Sequence, residues 1–202
     1  MEVNATVVKE LREKTGAGIM DFKKALTETG GNLDLAVDYL RKKGLAAAAK
    51  RADRVAADGA VGAYVHPGGK IGVLVELNCE TDFVARTAEF QALLKDVAMQ
   101  VAAANPRFVR REDVSAAEFE KEKAIYRQQA LESGKPEKVV DKIVEGKMER
   151  FYSEVCLLEQ PFIKDPDRKV ADIVNDAGAR LRENIQIRRF ARYNLGEGTQ
   201  KP

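Results

Sequence analysis

His66, Cys79 and Cys156 are the only histidine and cysteines in the 202-residue sequence, and they bound the covalent chemistry it can do. Nucleophile-plus-base catalysis needs a base oriented by a partner, and a lone histidine gives it little to work with. A structural zinc site needs four ligands at metal spacing, a pattern these residues do not make. The glycine-rich pieces TGAGIM and PGGKIG match neither the P-loop nor the dinucleotide fingerprint. Carboxylates are abundant, but most fall on charged helical faces and read as solvated. The expectation is a protein that is not an enzyme and that uses no cofactor or metal. Residues 78–86, NCETDFVAR, stand apart. There Thr81, Asp82, Phe83 and Val84 lie where a strand pattern gives way to a helix pattern. Two readings compete for Phe83. It packs back onto Phe90 or Leu77 while Thr81 or Asp82 caps the helix, or it is a surface wedge offered to a partner.

The elements around that junction must position it. Hydrophobic residues make up 45% and charged residues 33% of the chain, the composition of a soluble globular protein. The net charge of +2 gives no global pull toward nucleic acid or an anionic membrane. No apolar run approaches the roughly 18 residues of a membrane span. The opening MEVNATVVKELREKTG reads as neither signal nor transit peptide. Without an export signal, unpaired cysteines read as reduced thiols, so a cytoplasmic location is expected.

Residues 1–43 read as three short helices, carried by Val7, Val8 and Leu11, by Phe22, Ala25 and Leu26, and by Leu33, Ala36, Val37 and Leu40. Asn32 caps the third, and Gly44 closes it after Arg41, Lys42 and Lys43. Residues 44–59 are Ala-rich and predict a connecting helix. Residues 60–66 and 70–78 predict a β-hairpin about Pro67-Gly68-Gly69. A strong helix follows, with Phe90, Leu93, Leu94, Val97, Ala98 and Val101 on one face. Ser115 opens a charged helix through about Leu131. Lys135-Pro136 starts another, with Val140, Val144, Phe151 and Val155 inward. Asp165-Pro166-Asp167 reads as a break before a helix bearing Val170, Ile173, Val174 and Ala177. Residues 184–195 predict a late strand, and 196–202 a frayed tail. The fold class is α+β: a three-helix module, a connecting helix, then residues 60–195 as a small antiparallel sheet covered by helices.

The segment NCETDFVAR resembles the signature of the elongation factor Ts family. LREKTGAGIMDFKKAL, residues 11–26, is similar to that family's N-terminal module, whose pattern is UBA-like. GKPEKVVDKIVEGKMERF and LLEQPF are similar too, so the resemblance covers nearly the whole chain. It looks like a short form, with one core half where long members carry two. The resemblance implies guanine-nucleotide exchange on elongation factor Tu. Thr81, Asp82, Phe83 and Val84 would then disturb the partner's magnesium site, with Phe83 as wedge and Asp82 as its polar companion. Arg12 and Met20 match contacts of the docking module, and Arg51 and His66 match two further contact positions. Ile19 stands where a Met-Met pair is often seen. It keeps the apolar surface without methionine's adaptability.

Other classes compete. Arg188, Arg189 and Arg192, interleaved with Phe190 and Tyr193, suit a ribosome- or RNA-binding strand, or simply a solvated basic face. The helical module by itself also suits a peptide-binding scaffold. His66, beside Pro67-Gly68-Gly69, is either a partner contact or a hairpin-end residue in water. The expected partner is elongation factor Tu, with no membrane and no direct nucleic-acid contact. One core half leaves a sheet edge that a homodimer would cover.

Overall fold

A computed structural model describes residues 19–134 and 136–198. The expected first helix with Val7, Val8 and Leu11, together with Arg12, Lys135 and the last residues of the tail, lies outside them. The described elements are α1 (Ile19–Glu28), α2 (Leu33–Ala52), β1 (Asp58–Val65), β2 (Ile71–Cys79), the single turn α3 (Asp82–Ala85), α4 (Ala88–Ala104), α5 (Ala116–Glu132), α6 (Glu137–Val155), β3 (Pro161–Phe162), β4 (Asp165–Lys169), α7 (Val170–Leu181) and β5 (Gln186–Asn194). The fold is α+β, with a small antiparallel sheet in the order β1-β2-β5.

Two compact units divide the chain. The first runs to Val61 and takes in Glu76–Leu94 and Asp172–Ile187. Its N-terminal part packs α1 on α2 through Phe22, Ala25, Leu26, Ala36 and Leu40, with Val37 and Tyr39 at the margin. Leu33 does not join this core and is 41% exposed in the first turn of α2. Glycine ends α1 because the chain there turns left-handed. Gly30 and Gly31 sit at φ +61° and +85°, and their amides bond back to Thr27 and Leu26. Gly44 does not do the same. α2 runs straight through it to Ala52, so the expected boundary between a third helix and a connecting helix is not an interruption of the chain. Without a positive φ, glycine costs only about 1 kcal/mol in a helix, and the alanines that follow it propagate the turn. Beyond Ala52 the chain leaves the helix, and β1 begins at Asp58.

In this unit β1 lies close against β2 at Gly59. At its φ of +144°, a Cβ would stand 2.2 Å from the Leu77 carbonyl oxygen, so no other residue fits without moving the strand. Leu77, Cys79, Ala85, Phe90, Leu93 and Leu94 are buried, and α7 contributes Val174 and Ala177.

The second unit takes in Gly62–Val75, Lys95–Ala171 and the chain from Arg188 onward. The hairpin closes with the His66 amide donating to the Ile71 carbonyl (2.9 Å) and the Gly69 amide to the His66 carbonyl (2.9 Å). The Leu195 amide donates to the Lys70 carbonyl (2.8 Å), which places the end of β5 beside the start of β2. α5 and α6 form an antiparallel helical hairpin around Ala130, Val140, Val144, Met148 and Phe151, with Phe119, Tyr126 and Val155 packed against it. Ser115 caps α5 as expected, accepting from the Glu118 amide at 3.2 Å. Asp165-Pro166-Asp167 is not a break. It enters β4, which pairs antiparallel with Pro161–Phe162, because the two short segments satisfy each other's backbone groups at no helical cost. Among the described residues no helix is long and apolar enough to cross a membrane.

Candidate functional site

Thr81 leaves β2 in extended geometry (φ −136°, ψ 152°) and caps the α3 turn, its hydroxyl accepting from the Val84 amide at 3.4 Å. Backbone bonds from Ala85 to Thr81 (3.3 Å) and from Arg86 to Asp82 (3.2 Å) close the turn. Ala85 is buried beneath it, and its carbonyl accepts from the Gln91 side chain at 2.8 Å. Thr87 links this turn to α4: its hydroxyl donates to the Val84 carbonyl (2.8 Å) and accepts from the Phe90 amide (3.2 Å). Ala85 thus takes the inward position, and Phe83 is thrown outward, 81% exposed. The staple alternative, with Phe83 packed on Phe90 or Leu77, is not adopted. Asp82 pairs with Arg86 at 2.7 Å on a solvated surface, a contact worth little by itself.

What holds the junction is a pair of residues that sequence reasoning passed over. The Glu183 carboxylate accepts from the Glu80 amide (2.9 Å), the Thr81 amide (3.2 Å) and the Thr81 hydroxyl (2.6 Å). The neighbouring Asn184 returns the grip: its amide donates to the Glu80 carboxylate at 2.6 Å. The buried Asn184 side chain also donates to the carbonyls of Ala52 (3.3 Å), the last residue of α2, and Arg54 (2.7 Å), just past it. Contacts across a hundred residues leave no local signal. A polar Glu-Asn pair directly ahead of an apolar strand start was the available hint. Below the turn, Cys79 is buried and its thiol faces the Thr81 carbonyl at 3.1 Å. Burial pushes that thiol up to about 11.

The other expected contact residues are distributed. Ile19 opens α1, and Met20 beside it is 77% exposed. Arg51 lies in the last turn of α2, half-buried, next to the carbonyls that Asn184 holds. In the first unit Asn184 links the Ala52 and Arg54 carbonyls, which follow Arg51 in the chain, to Glu80. His66 belongs to the second unit, exposed at the hairpin end, with its Nδ1 3.1 Å from the Tyr64 hydroxyl. In the basic strand Arg188 and Arg189 are exposed, whereas Arg192 turns toward the Ala102 carbonyl at 3.4 Å. No group of side chains that could hold a metal occurs among the described residues.

A family model described as Elongation factor TS matches residues 2–197. The chain is 62% identical over 200 residues to the Elongation factor Ts of Desulforamulus reducens, covering 99% of this chain and 92% of that protein. It is 62% identical over 199 residues to that of Heliobacterium modesticaldum (98% and 93%). It is 60% identical over 201 residues to that of Geobacter sulfurreducens (100% and 93%).

Proposed function

The chain belongs to the elongation factor Ts family of translation elongation factors, and we propose that it acts as a guanine-nucleotide exchange factor on elongation factor Tu. In this reading the chain makes and breaks no covalent bond. It binds the empty partner better than the nucleotide-loaded one, and by reciprocity nucleotide weakens its hold by the same factor. Magnesium bridges phosphate oxygens in such GTPases, so disturbing its shell loosens the nucleotide without touching the base. Residues 81–84 make that disturbance, with Phe83 as wedge. The observation that carries the reading is the exposure of Phe83 on a turn held by the Thr81 cap and by the Ala85 and Arg86 backbone bonds. A large aromatic held rigidly in water is a pre-organised anchor, and little ordering is lost when it docks.

Magnitudes require more than the wedge. A nucleotide held near nanomolar affinity represents about 12 kcal/mol, whereas burying one Phe supplies about 1.5–3 kcal/mol. An interface of standard size, about 1,600 Å², is needed. Residues 1–43 supply a second foothold through Arg12, Ile19 and Met20. Residues 44–59, the continuation of α2 and the segment after it, set its distance from the exchange core in residues 60–195. Arg51 and His66 add contacts. Titrating the purified chain into elongation factor Tu loaded with fluorescent GDP tests the reading. Release accelerates in a saturable way, and excess free GDP weakens the complex. Release at the spontaneous rate throughout the titration overturns it.

A further inference from the structure

The Glu183–Asn184 pair does more than close a turn. Its carboxylate takes two successive backbone amides and the capping hydroxyl of the same turn that presents Phe83. Its asparagine spans Glu80 and the carbonyls of Ala52 and Arg54 at the end of α2. Arg182, a non-glycine residue, sits in the left-handed region at φ +61°, so that Glu183 and Asn184 turn back toward β2. Such conformations persist where the surroundings over-determine them. Gly178 of α7 leaves room for this return. A Cβ there would stand 3.0 Å from the Glu183 carbonyl oxygen.

We propose that Glu183 is a positioning residue for exchange, with Asn184 as its partner, fixing the direction in which the Phe83 ring is presented and tying that turn to the end of α2. Resting on the exchange reading above, the inference names what aims the wedge rather than what docks. A wedge that is free to swing still finds the partner but spends less time in the productive pose, so the maximal release rate falls while half-saturation does not.

The test compares GDP release from elongation factor Tu across a concentration series of parent, Glu183→Ala, Glu183→Gln and Gly178→Ala. For Glu183→Ala the maximal rate falls about tenfold, the scale of losing hydrogen bonds to a charged acceptor. Its half-saturating concentration moves by about twofold or less. Glu183→Gln recovers most of the rate, because the amide oxygen still accepts the Glu80 and Thr81 amides. In NMR hydrogen exchange those two amides lose protection in Glu183→Ala and keep it in Glu183→Gln. Should Glu183→Ala fail to fold, Gly178→Ala carries the test by crowding the Glu183 backbone, with a smaller fall in the same parameter. A parental maximal rate in Glu183→Ala, or in Gly178→Ala where that variant carries the test, overturns the proposal. So does a Gln variant as slow as Ala, or an affinity loss as large as the rate loss. Were the parent itself not to accelerate release, the exchange reading would fail, and the amide protection would still report whether Glu183 holds the turn.

Discussion

The 81–84 turn and the root of the helical hairpin both rest on a carboxylate, and they use it in opposite ways. At the turn, Glu183 spends its acceptors on backbone amides and a hydroxyl, and the side chain so displayed is an apolar ring in water. At the root, the carboxylates spend theirs on cations. Arg111 forks onto Glu149 with two bonds of 2.7 Å and onto Glu159 at 2.8 and 2.9 Å, with its guanidinium 4.6 Å over the Tyr152 ring. Lys169 adds a second cation to Glu159 at 2.8 Å. The Arg111 hydrogen bonds hold the Glu159 carboxyl down to about 2 and lower that of the 57% exposed Glu149 as well. The root turns its charges on one another. The turn spends its polar bonds on its own backbone and cap and leaves the Phe83 ring exposed. One region presents an apolar side chain to solvent, and the other ties the start of the helical hairpin to its end.

The largest effect expected is functional and lies at the turn. Phe83→Ala lowers the maximal rate of GDP release about a hundredfold or more, the range of about 2–4 kcal/mol that anchor residues reach. Its unfolding midpoint in circular dichroism shifts by about 0.5 kcal/mol or less, since a side chain exposed this far leaves no cavity. A large loss of stability would erase the contrast by returning the ring to the core.

Next comes the root. Arg111→Met leaves Glu149 and Glu159 without their fork. It costs about 1.5–3 kcal/mol, a fall in Tm of about 5 °C for a chain of this size. GDP release stays at the parental rate. Slower release with an unchanged Tm would show that the root serves the partner after all.

How much of this was legible follows from range. Periodicity within one element is local, so the α4 face from Phe90 to Val101, the β1–β2 hairpin and the Ser115 cap were readable, and each is buried or bonded as the pattern implies. The run of α2 through Gly44 was misread because glycine's preference for a helix end is weak unless a positive φ is needed, as at Gly30. β4 was missed because a proline between two aspartates looks like a breaker and its strand partner is only two residues long. For Phe83 the residues left a core staple and a surface wedge both open, and the family resemblance pointed outward. Glu183 was invisible because its partners lie about a hundred residues away, at Glu80 and Thr81.

Acid sharpens the contrast at the root. Glu159 titrates near 2 when folded, against an ordinary value of 4.5. A depressed carboxylate stabilises the fold above its unfolded value, and that contribution is lost as pH falls from about 4.5 toward 2. Denaturant midpoints across this window fall more steeply for the parent than for Arg111→Met, in which the main cation that lowers Glu159 is gone and only Lys169 remains. Parallel slopes would remove Arg111 as the cause.

The smallest effect compares one buried thiol from each region. Cys79 lies beneath the turn and Cys156 at the end of α6 beside the root, and burial pushes both up to about 11 from 9.0. A raised thiol pKa means that the stabilising contribution is complete below 9.0 and lost as pH rises through about 11. Near pH 8 both thiols are protonated and shielded, so alkylation by iodoacetamide is slow and waits on local opening. Mass spectrometry of timed samples separates the two sites. Glu183→Ala speeds modification of Cys79 several-fold and leaves Cys156 alone, whereas Arg111→Met does the reverse. Equal acceleration of both thiols by either substitution would mean that the turn and the root open together, and that the separation between a presenting region and a holding region is not built into the fold's local stability.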